Sequence, residues 1–517
     1  MSRDLEPLKR SEFDLLVIGG GITGAGIALD ATLRGLRVAL IDKGDFASGT
    51  SSASSKLIHG GLRYLEHAEF GLVREALRER HILLRIAPHL VRPLRILIPH
   101  YETATRPRWM IKLGLSLYDW LAGRERIGRH GWLSASELTD QVPGLRGEGL
   151  KGGFEFFDAQ MDDARLCLEV VLSAVAAGAR AANYVEAVEL HHDRNGQACG
   201  CDVIDRLSSE CFAITARHIV NAAGPWLDEV CRIDDSMAPQ RLAPTKGTHI
   251  VLPGIGLTAS LLITHPDDGR VMFVLPWMNR SLVGTTDTFY NDRPDDVAPM
   301  PEDAEYLLRA ANYYLSRSFT DRDVLATLSG LRPLLRQNKA NPSAVSREFA
   351  IFRSRSGLWS IAGGKYTTYR SMAEKLVDRV AATFSETAAA TECRTAEHRL
   401  IGCPVEEWST FCESAQNRLE REFGLDEKLA VHLLDRYGCR ALSIAADSRV
   451  DSKLWSPIIE GEPETWAELQ FQAGHELAVY AADHLLRRTR LGLFHPELLE
   501  ADLKWSKSPQ SVRLTRS

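Results

Sequence analysis

Paired cysteines are missing from this sequence. Its 517 residues include nine cysteines, of which the closest two are Cys199 and Cys201, and no C-x-x-C pair occurs. A zinc ribbon or a thioredoxin-like centre is thereby excluded, since each needs two closely spaced thiols. An odd number without framework spacing suits a reducing cytoplasm better than a disulfide scaffold. Long hydrophobic runs are missing too: none approaches the ~20 apolar residues that span a bilayer. The opening residues, MSRDLEPLKR, carry two acids and no apolar core, so neither a signal peptide nor a transit peptide is expected. Nor is there an excess of positive charge. The formal net charge is −6, which argues against a nucleic-acid partner, because phosphate backbones select basic faces.

The composition that remains, 44% hydrophobic and 25% charged, is that of a globular protein, and the length predicts two or three domains. The stretch FDLLVIGGGITGAGIALDATLRGLRVALIDKG predicts a strand over 13–18, a glycine turn, a helix over 22–34 stopped by Gly35, and a second strand over 36–42. Gly19, Gly21 and Gly24 have G-x-G-x-x-G spacing in that turn. Glycines there let the backbone approach a pyrophosphate whose charge rests on the helix N-terminus. Asp42 ends the second strand, where a carboxylate accepts from a ribose diol. A turn serving packing alone gives Asp42 no reason, so a dinucleotide site is expected. Where a nicotinamide-binding domain continues with another strand and helix, this chain runs into GDFASGTSSASSKLIHGG. Such a small-residue loop fits beneath a large flat ring. The turns NAAGPW and AGGKYTTYR also follow strands and can line the same ligand, the layout of a long FAD.

Elsewhere, residues 68–90 repeat apolar positions at three and four, an amphipathic helix that ends before Pro93. Residues 150–230 hold a helix followed by strands, and short runs separated by turn residues over 245–289 predict an antiparallel sheet. A helix over 301–316 begins with Pro301, Glu302 and Asp303. From about 395 onward the chain is helical and charged, a separate C-terminal domain. The apolar run from Trp109 to Leu121 is accompanied by Arg106, Arg108, Lys112, Arg124, Arg126 and Arg129. It fits an interfacial helix lying in a membrane surface or, the preferred reading, a buried helix with a basic end.

Seven stretches in order, GGGITGAGIALDA, TSSASSKLIHGGLRYLEH, NAAGPW, TKGTHIV, VGTTDT, SGLRPL and GGKYTTYR, resemble those of the aerobic FAD-dependent glycerol-3-phosphate dehydrogenases, in their bacterial, quinone-linked form. The resemblance is close from residue 13 to about 380, and LLRRTRLGL resembles the family's C-terminal helical cap. Tyr366 beside Lys365 is a modest departure. Glycine and D-amino-acid oxidases share the first fingerprint but not the serine-lysine-histidine stretch. The resemblance implies an α/β fold: an FAD-binding Rossmann-like domain of the glutathione-reductase and D-amino-acid-oxidase type, an antiparallel-sheet substrate domain, and an α-helical C-terminal cap. On it, residues 1–75, 150–235 and 325–390 form the FAD domain, 76–149 and 236–324 the substrate domain, and 391–517 the cap. The implied FAD contacts are Gly19, Gly21, Ile22, Thr23, Gly24, Asp42, Lys43, Thr50, Ser51, Ser52, Ser54, Ser55, His59, Gly60, Gly61, Val185, Ala223, Gly224, Trp226, Gly364, Lys365 and Thr367. No metal is expected, and calcium regulation is not, since no D-x-[DN]-x-[DN]-G loop occurs.

The implied reaction is oxidation of sn-glycerol 3-phosphate to dihydroxyacetone phosphate, with a hydride leaving C2 for flavin N5. It needs cations for a phosphate dianion and a base for the C2 hydroxyl. Arg332, His249 and His59 are the catalytic candidates. Arg332 leads for phosphate because a guanidinium binds it bidentately; a surface salt bridge is its ordinary alternative. Lys365, Arg63, Tyr64, Arg270 and Thr285 are further substrate candidates, against plain roles as a solvated lysine, a helix cap, a core ring and strand ends. His249 is the first choice as base, since an imidazole near its ordinary pKa takes protons at pH 7. His59 is the rival and more naturally packs against the flavin. Electrons then pass to ubiquinone, so the implied location is peripheral, on the cytoplasmic face of the inner membrane. A homodimer is open. The alternatives are a glycerol 3-phosphate oxidase using oxygen, an amine or amino-acid oxidase of the same fold, and a flavoprotein of tRNA modification. For the last, the basic run and clustered aromatics that bind RNA are missing.

Overall fold

The computed structural model describes residues 3–337, 348–384, 392–449 and 451–500. Its first strand, Glu12–Ile18, is buried without interruption from Leu15 onward, a pattern that suits the middle of a parallel sheet. It pairs in parallel with Val38–Ile41 on one side and Cys211–Asn221 on the other. The sheet runs Phe349–Arg353, Trp359–Gly363, Cys211–Asn221, Glu12–Ile18, Val38–Ile41, Arg180–Ala182. The helix Ile22–Leu33 connects the first two strands and is buried along most of its length. Its small residues let Asp163–Ala176 and Tyr369–Ala381 pack closely on it.

A second sheet runs Thr288–Phe289, Thr245–Pro253, Arg280–Gly284, Val271–Trp277, Ser260–Thr264, Val91–Tyr101, Leu150–Met161, Leu57–Ile58. Its neighbours are antiparallel except where Ser260–Thr264 meets Val91–Tyr101, as the turn-punctuated runs predict. Three strands lie elsewhere than expected. Leu57–Ile58, Leu150–Met161 and Ala326–Arg332 belong to this second sheet and not to the cofactor unit's. Register is the reason: Thr245 to Val251 pair residue by residue with Arg332 to Ala326, and Leu57 and Ile58 with Gln160 and Ala159. The serine segment therefore passes from one sheet into the other.

The helices Trp408–Phe423, Glu427–Tyr437, Ala441–Asp447 and Trp466–His475 share a core that includes Phe411, Leu419, Leu433, Tyr437 and Phe471. They are less separate than their charge-rich composition suggests. Arg165 pairs with Glu476, Arg488 with Asp45, and Arg490 with Asp163, all buried where these helices dock. Charges this deep are tolerated only in hydrogen-bonded pairs.

The helix Arg108–Ala122 turns Ile111, Leu115, Tyr118 and Ala122 inward. Trp109, Leu113 and Trp120 point outward at 65%, 62% and 75% exposure. The expected buried helix is thus overturned, because the run is apolar on two faces and only one is covered. No described helix is long and apolar enough to cross a membrane.

Candidate active site

The turn after Glu12–Ile18 is a tight pass. A side chain at Gly24 would put its first carbon 1.9 Å from the Gly19 carbonyl oxygen, so only glycine lets the helix start this close to the strand. The N-cap residue, Gly21, has no side chain and the first turn has no acid, so the positive helix end favours an anion. Ser51 Oγ reaches that end and accepts from Ile22 N at 2.9 Å. Asp42 accepts from Gly20 N at 2.6 Å and from Gly44 N at 2.8 Å, so it braces the turn. Val185 N donates to the Asp42 carbonyl at 2.8 Å. Lys43 pairs with Asp295 at 3.0 Å and lies 4.6 Å from the centre of the Trp226 ring. Ala223 and Gly224 form the turn after Cys211–Asn221, and Gly364, Lys365 and Thr367 the turn after Trp359–Gly363.

The serine segment is bound down residue by residue. Thr50 Oγ1 donates to the Leu331 carbonyl at 2.5 Å, and Ser52 Oγ to the Gly49 carbonyl at 3.2 Å. Ser54 donates to Asp163 Oδ2 from Oγ at 2.7 Å and from its amide at 3.0 Å. Lys56 Nζ donates to Asp163 Oδ2 and to the Ser52 carbonyl, both at 2.7 Å. Burial pulls the Lys56 ammonium down to about 8, against the pull of Asp163. Farther on, His59 N donates to Thr367 Oγ1 at 3.2 Å. Gly60 N donates to Tyr118 Oη at 2.9 Å, and that hydroxyl donates to Asp158, which pairs with Arg80 at 2.7 Å. Burial lowers His59 to about 4. Gly61, at φ 78°, turns the chain into Leu62–His67, which carries Arg63 and Tyr64.

Thr245–Pro253 alternates so that Gly247 and His249 share a face. A side chain at Gly284 would meet His249 Cδ2 at 2.1 Å, and one at Gly247 would meet the Arg332 guanidinium at 2.4 Å. The two glycines make room for a ring and a cation. His249 Nε2 lies 2.9 Å from Ser55 Oγ, while Nδ1 is buried and has no hydrogen-bond partner among the described residues. Burial, with the Lys56 and Arg332 cations nearby, lowers the imidazole to about 3. The ordinary pKa expected for His249 is therefore corrected, and the ring is neutral throughout the neutral range.

Arg332 donates to Asp287 Oδ1, Thr285 Oγ1 and the Thr286 carbonyl at 3.1, 3.1 and 3.2 Å. Arg270 reaches the site only through Asp287, at 3.3 Å from its carbonyl and 3.6 Å from its carboxylate. Lys365 Nζ stands 3.5 Å from the centre of the Tyr64 ring, and a cavity of about 220 Å³ lined by Glu75, Phe349, Gly364, Lys365 and Thr368 opens beside it.

A family model described as FAD dependent oxidoreductase matches residues 14–370, and one described as the C-terminal domain of alpha-glycerophosphate oxidase matches residues 393–504. The aerobic glycerol-3-phosphate dehydrogenase of Staphylococcus aureus (strain MRSA252) is 38% identical over 493 residues, covering 93% of this chain and 87% of that protein. This chain belongs to the aerobic glycerol-3-phosphate dehydrogenase family. Among solved structures, glycerol-3-phosphate dehydrogenase from Bacillus halodurans complexed with FAD matches at a TM-score of 0.79 and 33% identity, over 96% of this chain and 89% of that one. L-alpha-glycerophosphate oxidase from Mycoplasma pneumoniae shares the fold at a TM-score of 0.56 and 18% identity, over 72% and 94% of the two chains. The chain is an FAD-dependent oxidoreductase. The residues present fit that cofactor: the helix end, with no acid in its first turn, would take a pyrophosphate, and the Gly24 pass would bring backbone to it.

Family membership leaves several site residues unnamed. Asp163, Tyr118 and Asp158 escape a reading by motif, though they hold the segment that the motifs mark, and Lys56, inside that segment, is turned to Asp163. One signal was available: two successive acids, Asp162 and Asp163, stand at the start of a helix. Asp162 takes the N-cap, accepting from Arg165 N at 3.3 Å, which leaves Asp163 to turn inward. Tyr366 donates to the Asp163 carbonyl at 2.5 Å and so ties the last glycine turn to the same place.

Proposed function

We propose that this chain oxidises sn-glycerol 3-phosphate to dihydroxyacetone phosphate, with His249 as the base. One observation carries this reading. The buried Nδ1 of His249 has no partner among the described residues, and it lies on the strand face where Gly247 admits the Arg332 guanidinium.

Bound FAD supplies the hydride acceptor, and the chain's own residues do the rest. Arg332, aimed by Asp287 and Thr285, binds the phosphate dianion, and Lys365 and Arg63, the cations near His59, add to the positive field, with Tyr64 against Lys365. Arg270 keeps Asp287 in place. With Ser55 Oγ accepting from Nε2–H, His249 Nδ1 keeps its lone pair and takes the C2 hydroxyl proton. Near 3 in the free protein, it gains basicity as the substrate's negative charge enters the same pocket. His59 packs beside the cofactor, its backbone N–H held by Thr367. In this division of labour the first sheet holds FAD, the second holds substrate, and the C-terminal helices brace the seam.

Anaerobic addition of sn-glycerol 3-phosphate to the FAD-loaded protein should bleach the flavin absorbance. Bleaching by glycine or D-alanine instead would overturn the reading.

The acceptor we assign is ubiquinone in the inner membrane, with the chain held peripherally on the cytoplasmic face. The outward Trp109, Leu113 and Trp120, with Arg106, Arg108, Arg124 and Arg126 around them, support it, since aromatic and basic side chains favour the headgroup region. Replacing both tryptophans by serine should abolish co-sedimentation with phosphatidylglycerol vesicles. Unchanged binding would remove this helix, and rapid peroxide formation in air would replace quinone by oxygen.

A further inference from the structure

The catalytic face and the C-terminal helices meet at one buried acid. Asp163 Oδ2 accepts from Lys56 Nζ at 2.7 Å and from Ser54 Oγ at 2.7 Å, while its Oδ1 pairs with the Arg490 guanidinium. Arg490 also donates to the Ser52 carbonyl at 3.2 Å, the oxygen that Lys56 Nζ meets at 2.7 Å. A cation from the C-terminal helices and one from the serine segment thus grip the same two groups from both sides. Ser52, Ser54 and Lys56 are each fixed within this ring, and Ser55 lies between them with its Oγ 2.9 Å from His249 Nε2. The family resemblance assigns Arg490 to a cap, and nothing in that assignment reaches the reacting atoms.

Arg490 is also held in an unusual backbone state. Its φ is 73°, in the left-handed region, and Lys56 at the other end of the ring has φ 58°. Non-glycine residues persist there only when their surroundings fix them. Here the fixing groups are Asp163, Ser52 and the Leu486 carbonyl, which accepts from Arg490 at 3.0 Å. We propose that Arg490 is a positioning residue for the oxidation, holding Ser55 against His249 through Asp163, Ser52 and Lys56. Ser55 in turn fixes the ring and the tautomer of the base. This rests on His249 being that base. Base geometry matters steeply, since a misplacement of about 1 Å can cost roughly 10²-fold in rate.

The test uses FAD-loaded protein and anaerobic single turnovers with sn-glycerol 3-phosphate. Arg490→Gln should slow the limiting rate of flavin bleaching by roughly 10-fold or more and change the substrate Kd little, because Arg332 is untouched. Arg490→Lys, which keeps a cation on Asp163, should recover most of the rate. Arg440→Gln breaks another buried pair of the C-terminal helices, with Glu476, and should lower Tm at a normal limiting rate. Adding Arg490→Gln to Ser55→Ala should slow the reaction no further than Ser55→Ala alone. A wild-type limiting rate in flavin-loaded Arg490→Gln would overturn the proposal. So would an equal rate loss in Arg440→Gln, which would mark the effect as general loosening. If Arg490→Gln fails to fold, a loss in Arg490→Lys as large as in Ser55→Ala overturns it too. Normal bleaching in His249→Asn would instead sink the base assignment, and so is told apart.

Discussion

Around Asp45, buried charges meet their opposites within the chain; around His249, cations gather where an anion from outside can join them. Asp45 accepts from Arg487 Nε at 2.6 Å, from Arg488 at 2.7 and 3.1 Å, and from Asn183 at 3.0 Å. Although burial pushes its carboxyl up, Arg488 and Arg487 hold it at about 2. Glu476 does the same for Arg165 and Arg440. On the other side of the serine segment, Arg332 and Arg270 meet at Asp287, Arg270 also pairing with Asp268, and Lys56 and Arg332 both press on His249. Closed sets of charge fix how parts dock. Cations that converge on a neutral ring favour a negatively charged ligand beside it.

Four changes should break or sharpen this contrast. The largest effect belongs to His249→Asn, which should slow anaerobic flavin bleaching by about 10²–10⁴-fold, the usual worth of a general base, with Tm little changed. Next, Asp45→Ala leaves two buried guanidiniums without their acid and should destabilise the protein by about 3–5 kcal/mol, read by urea unfolding of the loaded enzyme. Arg332→Gln should do the reverse. It should raise the substrate Kd on the order of 10-fold to 10²-fold, as the loss of charge-assisted hydrogen bonds does, and leave Tm near wild type. An equal Tm loss in the Arg332 and Asp45 variants would erase the distinction between the two regions.

The smallest effect is a pH dependence in the closed set. His484, whose Nδ1 lies 2.8 Å from Gln472 Oε1, is lowered by burial from the ordinary 6.5 to about 3. A depressed histidine is neutral in the fold and takes its proton first in the unfolded chain. Its share of stability is therefore whole above pH 6.5 and falls as the pH drops toward 3. By pH 5 the loss is about 2 kcal/mol, so His484→Gln should flatten the decline in unfolding free energy between pH 7 and pH 5 by that amount.

The parts of the site that follow a strand were readable from sequence, because glycine spacing and an apolar run are local signals. Gly19, Gly21 and Gly24 lie in the turn between strand and helix and Asp42 follows the second strand, where its carboxylate accepts from Gly20 N and Gly44 N. His249 and Arg332 were reached through the resemblance, and Gly284 opposite His249 and Gly247 diagonally across from Arg332 make room for them. The pKa of His249 was not readable, since it depends on Lys56 and Arg332 converging from distant segments. Nor was the strand Ala326–Arg332 readable as part of the second sheet, because seven residues carry no label for their partner. The charge-rich C-terminal sequence suggested a separate domain. Whether an arginine is paired in a core or wet at a rim is decided by what lies across from it, and Asp45 and Arg488 are hundreds of positions apart in the chain.

The helix Arg108–Ala122 touches the serine segment and the outside at once. Its inward Tyr118 hydroxyl holds Gly60 N, and its outward face carries Trp109 and Trp120. An α-helix with its side chains is about 10–12 Å across. Trp120 follows Tyr118 by only two residues, so whatever presses on that outer ring lies about one helix width from the turn that carries Gly60, and a push from outside reaches the serine segment through a single helix.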